Sequence, residues 1–181
     1  MANIHDYLQW RGDLTLAERP FNDVDNVILS VLSYIDFADV VPSEEDGGSV
    51  ELSHACRKII ELCGGHVHTR VRSLFEVDTR FLELMASSRR FGSATLSAYA
   101  DVVDESRSLQ FSALQVGLPT GETYVAFRGT DSTLVGWRED FMLGFTDEVP
   151  AQAAARDYLD RIASVTSGPL YVGGQIGRAH V

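Results

Sequence analysis

Only two cysteines, Cys56 and Cys63, stand in the 181 residues. Seven residues apart on a predicted helix, they lie two turns from each other, too far for a disulfide. A disulfide scaffold is excluded, and two small buried side chains in a reducing compartment are expected instead. Positive charge is also scarce: 15 Lys and Arg face 26 Asp and Glu, a formal charge of −11. That balance argues against nucleic acid or an anionic lipid surface as a partner. No apolar run reaches the roughly 18 residues of a membrane helix, so no transmembrane segment is expected. The opening residues Met1 to Asp6 lack a basic n-region and an apolar h-region. With no signal peptide visible, the cytoplasm is the default location. Metal ligands are sparse as well. His66 and His68 would share a face only on a strand, and no Cys, Asp or Glu sits beside them at ligand spacing. His5 and His54 stand alone. No metal or cofactor is expected, and no internal repeat or low-complexity run is present.

What is present has the composition of an ordinary soluble globular chain, long enough for one domain with a sizeable core. Residues 1–21 carry Tyr7, Leu8, Trp10, Leu14, Leu16 and Phe21 among polar residues, which reads as an amphipathic arm packed on the body. Asn22 or Asp23 caps a helix predicted to run to about Phe37. Val24, Val27, Ile28, Val31, Leu32 and Ile35 form its inward stripe at helical spacing. After an acidic loop over 42–49, Ser49 or Ser53 starts a second helix with Leu52, Cys56, Ile59, Ile60 and Cys63 inward, stopped by Gly64-Gly65. A third helix covers about Thr79 to Ser88, where Arg89 and Arg90 suit the helix dipole. From Ser93 the period changes to that of strands. Ala94–Val103, Leu109–Val116 and Glu122–Phe127 are three strand candidates, and their short connections make them antiparallel neighbours. Ala151 to Val165 reads as a helix with Ala155, Leu159 and Ile162 inward, and Leu170-Tyr171-Val172 as a short buried strand. That strand–helix–strand unit implies one right-handed parallel crossover.

The stretch from Glu122 to Phe145 organises the rest. Thr123 to Phe127 is an apolar, β-rich run that breaks into Gly129-Thr130-Asp131-Ser132-Thr133, a loop rich in backbone N–H groups and hydroxyls. Ligands of open α/β sheets bind just beyond the carboxyl ends of strands, where this loop lies. Trp137, Phe141 and Phe145 follow at i, i+4, i+8, a helical stripe, with Arg138, Glu139 and Asp140 between them.

The run Phe127-Arg128-Gly129-Thr130-Asp131, followed by Trp137-x-x-Asp140, resembles the oxyanion-loop segment of the fungal-type (class 3) lipases. The longer run through Asp147-Glu148-Val149-Pro150-Ala151-Gln152 is closer still to a bacterial family of lipase-like α/β-hydrolases of unknown function. The likeness extends to Tyr7–Asp13 and Pro20-Phe21-Asn22. It implies an α/β fold: an incomplete α/β-hydrolase sheet, antiparallel strands then one βαβ crossover, preceded by an N-terminal helical region. The expected divisions are 1–92 (helical region), 93–174 (front half of the hydrolase domain) and 175–181.

Both families continue into a G-H-S-x-G-G nucleophile elbow. Here Leu170 to Gly174 supplies the strand and the start of the turn, and the sequence then departs into Gln175 to Val181 without the serine. Ile176-Gly177-Arg178-Ala179-His180-Val181 is the translation of one frame of a widely used sequencing adapter, and the adjoining bases complete the codon for Gln175. Residues 175–181 are therefore expected to be an adapter scar on a gene fragment, outside any fold reasoning.

Serine hydrolysis needs a nucleophile, a histidine base, an orienting acid and oxyanion donors. In the resembling families the acid and the base follow the elbow. What the resemblance assigns here is Thr130, whose backbone N–H and hydroxyl match the oxyanion-hole position, a donor typically worth about 3–4 kcal/mol of barrier. Arg128 and Asp140 read as a structural ion pair, Trp137 as core packing, and Asp131 as either shaping the loop or lining the pocket. The parent protein is expected to be a serine ester hydrolase taking a small-molecule or lipid ester, and this fragment to be inactive. The alternative is a non-catalytic binding or regulatory module on the same scaffold. A last strand without its onward neighbours would expose an apolar edge through which the fragment self-associates.

Overall fold

The computed structural model describes residues 3–72, 77–104, 106, 109–129 and 150–174. Four helices, α1 (Ile4–Arg11), α2 (Asp23–Val31), α3 (Leu52–Leu62) and α4 (Thr79–Ser87), precede the main strands, with the two-residue strand Val50–Glu51 between α2 and α3. The strands are β1 (Val50–Glu51), β2 (Thr95–Asp104), β3 (Leu109–Gly117), β4 (Thr123–Phe127) and β5 (Leu170–Gly174), with α5 (Pro150–Val165) between the last two. The strands form one sheet in chain order, β1-β2-β3-β4-β5. The first three pairings are antiparallel and β4–β5 is parallel. The fold is thus mixed α/β, with antiparallel strands, then a parallel pair, behind a helical N-terminal region.

Side-chain alternation along the strands gives the sheet two buried faces. Leu96, Leu114, Val116, Tyr124 and Ala126 point into a core shared with α1 to α4. Phe111, Ala113 and Val125 point the other way, against Tyr158 and Ile162 of α5. The β2–β3 ladder shifts register between Ser97 and Ala100. In that bulge Ala98 takes φ 49°, and its carbonyl accepts a 2.7 Å hydrogen bond from the Tyr158 hydroxyl. The inward face of α5 therefore centres on Tyr158, a residue outside the Ala155–Leu159–Ile162 stripe.

The helix ends follow local chemistry. Asn22 is the cap of α2: its side chain accepts from the Val24 and Asp25 N–H groups, and Asp25 accepts in return from the Asn22 N–H. Asn3 and Asp6 build a reciprocal box at α1 that satisfies two N–H groups, against three at α2, groups that a helix start leaves free. The second predicted helix, α3, starts after Glu51 with no side-chain cap, so neither Ser49 nor Ser53 caps it. Gly64 and Gly65, at φ 55° and 83°, stop it as expected.

Three expectations need correction. Helix α2 ends at Val31 and passes into a 3₁₀ turn over Leu32–Tyr34, short of Phe37. Its buried face is Asp25, Ile28, Leu29 and Val31, whereas Val24 and Val27 are 40% and 53% exposed. Asp25 turns inward to meet Arg90, which is not an exposed partner of a helix dipole but 1% exposed. Arg90 donates Nε and Nη2 to the Asp25 carboxylate at 2.7 and 2.5 Å. Its remaining hydrogens reach the carbonyls of Leu14, Thr15, Arg19 and Pro20. Tyr7 donates to Asp25 at 3.0 Å and accepts from Asn22 at 2.9 Å. A charge buried this deeply requires such complete pairing.

Candidate active site at the carboxyl ends of β4 and β5

Phe127 of β4 and Gly174 of β5 are register partners, so the two parallel strands finish level with each other. Helix α2 lies over β5, and the fit there is tight. A Cβ on Gly173 would lie 1.9 Å from the Tyr124 hydroxyl and 2.2 Å from Asn26 Oδ1. Tyr124 donates to that Asn26 oxygen at 2.7 Å. Burial holds the Tyr124 phenol well above its ordinary pKa. One residue beyond β4, the Gly129 N–H donates to the Tyr34 hydroxyl at 3.3 Å.

Beside this end of the sheet is a cavity of about 510 Å³, within the range of small-molecule sites. Ile4 of α1, Val27 and Val31 of α2, and Phe81 of α4 make its apolar wall, and Gly174 closes it on the sheet side. His5, Ser30 and Tyr34 add polar atoms. His5 Nε2 lies 3.2 Å from Asp78 Oδ1, the same oxygen that caps α4 by accepting from the Phe81 N–H at 2.8 Å. Ser30 donates to the Val27 carbonyl at 2.7 Å.

A second polar group sits at the base of the Gly129 loop. Asp101, Ser112 and Arg128 lie abreast on β2, β3 and the end of β4: Asp101 pairs with Ser112 in the ladder, and the Arg128 N–H donates to the Ser112 carbonyl at 3.0 Å. Arg128 Nη2 binds Asp101 Oδ1 at 2.8 Å, and the other Asp101 oxygen is 3.4 Å from Arg72 Nη1. Arg72 also lies 3.7 Å from Asp36. Arg128 Nη1, Ser112 Oγ and Tyr99 Oη are buried without a hydrogen-bond partner among the described residues. Burial raises the Tyr99 phenol above its ordinary pKa, and the charges of Asp101 and Asp36 add to the effect.

Among the described residues the ion-pair partner of Arg128 is Asp101. Asp140, its predicted partner, lies outside the described residues, as do Thr130, Asp131, Ser132, Thr133 and Trp137. Sequence reasoning missed Asp101. Its position abreast of Arg128 depends on two strand registers and a bulge, although a lone acid between Ala100 and Val102 in a strand was a usable signal. It also missed the cavity, whose wall comes from three helices separated in the chain. Among the described residues no group of three His, Cys, Asp or Glu is placed to hold a metal. His66 and His68 stack edge to face at 5.9 Å with no third ligand. No helix of the described residues is long and apolar enough to cross a membrane.

In open α/β sheets ligands bind beyond the carboxyl ends of the strands, which is where this cavity lies. A family model described as Mbeg1-like matches residues 85–177, about half of the chain, and the chain belongs to this lipase-like, α/β-hydrolase-related family. No curated protein and no solved structure matches it significantly.

Proposed function

We propose that the chain is the front portion of a serine hydrolase of the α/β class that acts on a small-molecule or lipid ester. The observation that carries this reading is the level ending of the parallel β4 and β5 at an apolar cavity, with the Gly129 N–H beside it. That is where such a fold places an oxyanion loop and a nucleophile elbow. Thr130 is the residue assigned to the oxyanion hole. Residues 93–174 form the hydrolase portion, residues 1–92 its helical cover, and residues 175–181 an adapter-derived tail. No G-x-S-x-G occurs in the sequence, so the chain itself is inactive.

The test compares two proteins with a serine-directed fluorophosphonate probe. The 181-residue chain is expected to stay unlabelled. A chain continued from Gly174 by its genomic sequence is expected to label strongly at an elbow serine. A genomic read that holds no serine there would instead favour a non-catalytic module on this scaffold.

A further inference from the structure

We propose that Tyr34, in the helical layer ahead of the Mbeg1-like segment, is a positioning residue of the hydrolase site: its hydroxyl accepts the Gly129 N–H and so fixes the peptide from which the oxyanion loop starts. This deepens the hydrolase reading and rests on it for the role of the loop.

The directions of the N–H groups along β4 carry the argument, because successive groups of a strand point to opposite neighbours. The even-numbered ones face β3, where the Arg128 N–H donates to the Ser112 carbonyl at 3.0 Å. The odd-numbered ones face β5. The Thr123 N–H donates to the Pro169 carbonyl at 2.9 Å, and the parallel register runs on to Phe127 opposite Gly174. Gly129 is next in that odd series, and its N–H donates at 3.3 Å to the Tyr34 hydroxyl. The phenol thus stands at the point where β4 and β5 end, and it lines the cavity there with Gly174.

Tyr34 is itself firmly held. It closes the 3₁₀ turn after α2 and is 3% exposed. Its carbonyl accepts from the Arg72 N–H at 2.9 Å, and the fully buried Ile35 beside it forms an antiparallel bridge with Val71. A phenol mounted in this way can fix what it binds. Thr130, the residue assigned to the oxyanion hole, follows Gly129 directly in the chain. Only the two torsions of Gly129 therefore separate the bound N–H from the Thr130 N–H. Glycine leaves those torsions freer than any other residue does, so an unanchored Gly129 would let the donor swing. An oxyanion donor lowers the barrier by being aimed before the charge develops.

Tyr34→Phe removes the acceptor and keeps the ring. In the 181-residue chain, amide exchange is expected to show Gly129 protected as the Phe127 amide is. In Tyr34→Phe the Gly129 amide is expected to exchange about tenfold faster or more, with Phe127 unchanged. In the genomically continued chain, Tyr34→Phe is expected to lower kcat for p-nitrophenyl butyrate about tenfold or more, with KM held within about twofold. Tyr158→Phe is the control. It removes a buried hydroxyl on the opposite face of the sheet, and its kcat is expected to stay within about twofold. A merely structural role for Tyr34 would make kcat follow the denaturant midpoint, and both variants would then lose activity together. That parallel loss overturns the proposal, as does an unchanged kcat in Tyr34→Phe. A Gly129 amide that is unprotected in the natural chain overturns it too, and this measurement decides even if Tyr34→Phe does not fold. Failure of the hydrolase reading has a separate signature: the continued natural chain neither cleaves the ester nor takes up fluorophosphonate, which removes the role of Tyr34 while Gly129 stays protected.

Discussion

Gly173 and Tyr124 are fitted so closely that a single methyl group cannot stand between them: its carbon would be 1.9 Å from the phenol oxygen. Gly173→Ala therefore forces β5 away from β4 or α2 away from the sheet. Overpacking of this kind typically destabilises by about 1–3 kcal/mol. A urea midpoint unchanged by the substitution would contradict the packing. Adding Tyr124→Phe removes the worst of the clashes and leaves Asn26 Oδ1 at 2.2 Å and the ring carbon Cζ of residue 124 at 2.7 Å. The double variant is expected to recover part of the loss, so the two changes are non-additive.

The Asp25–Arg90 pair carries a larger share of stability. Arg90→Ala strands a fully buried carboxylate, and Asp25→Ala strands a guanidinium. Each is expected to destabilise by about 3–5 kcal/mol. Replacing both by apolar residues of similar volume is expected to fall closer to the natural chain than either single change. Denaturant titrations of the three variants decide it, and additive losses would mean that the two residues do not act as a pair.

Three phenols give the alkaline limit. Burial is the main cause that raises Tyr99, Tyr124 and Tyr158 above their ordinary pKa. The folded phenols keep their protons at pH values where unfolded ones, near pKa 10, have lost them. Their contribution is thus fully present below about pH 10 and declines as the pH rises above it. The slope is expected to lessen in Tyr124→Phe. A melting temperature flat from pH 9 to 11.5 would refute this account. Both substitutions also remove a donor at neutral pH, Tyr158→Phe from the Ala98 carbonyl and Tyr124→Phe from Asn26 Oδ1, each a loss of about 1–3 kcal/mol.

The two thiols are expected to react at different rates. Cys56 is fully buried and its thiol is pushed up to about 12, whereas Cys63 is partly exposed. A disulfide reagent at pH 8 is expected to titrate one thiol quickly and the second only at the rate of unfolding. Two equally fast thiols would show that α3 is not packed as described.

The apolar edge of β5 gives a prediction about association. Tyr171 and Val172 are 37% and 47% exposed, and β5 ends the sheet among the described residues. Concentration-dependent self-association by sedimentation is expected, and Val172→Lys is expected to reduce it, since a charge on an edge strand opposes pairing. A natural chain that stays monomeric at high concentration would rule this out.

Strands β2 to β4 were legible in the sequence because their apolar runs are bounded by turn residues and joined by short connections. Helix α2 was legible as a helix but not in its facing. Its Val24–Val27 edge matches a helical stripe as well as the true one does, and the deciding fact is an ion pair formed with a residue 65 positions away. Arg90 looked like a surface cation because nothing local reveals four carbonyls from an arm far upstream. The cavity has no sequence signature at all, since α1, α2 and α4 meet only through tertiary packing. What the sequence did mark was the place, the end of β4.

The order of the sheet, β1-β2-β3-β4-β5, is also the order of synthesis. Among the described strands each of β2 to β5 leaves the ribosome after one neighbour on which it pairs, and all of Arg90's acceptors emerge before Arg90 itself. A nascent chain can therefore close its buried ion pair and lay down β2 to β5 one strand at a time, each onto a neighbour already made.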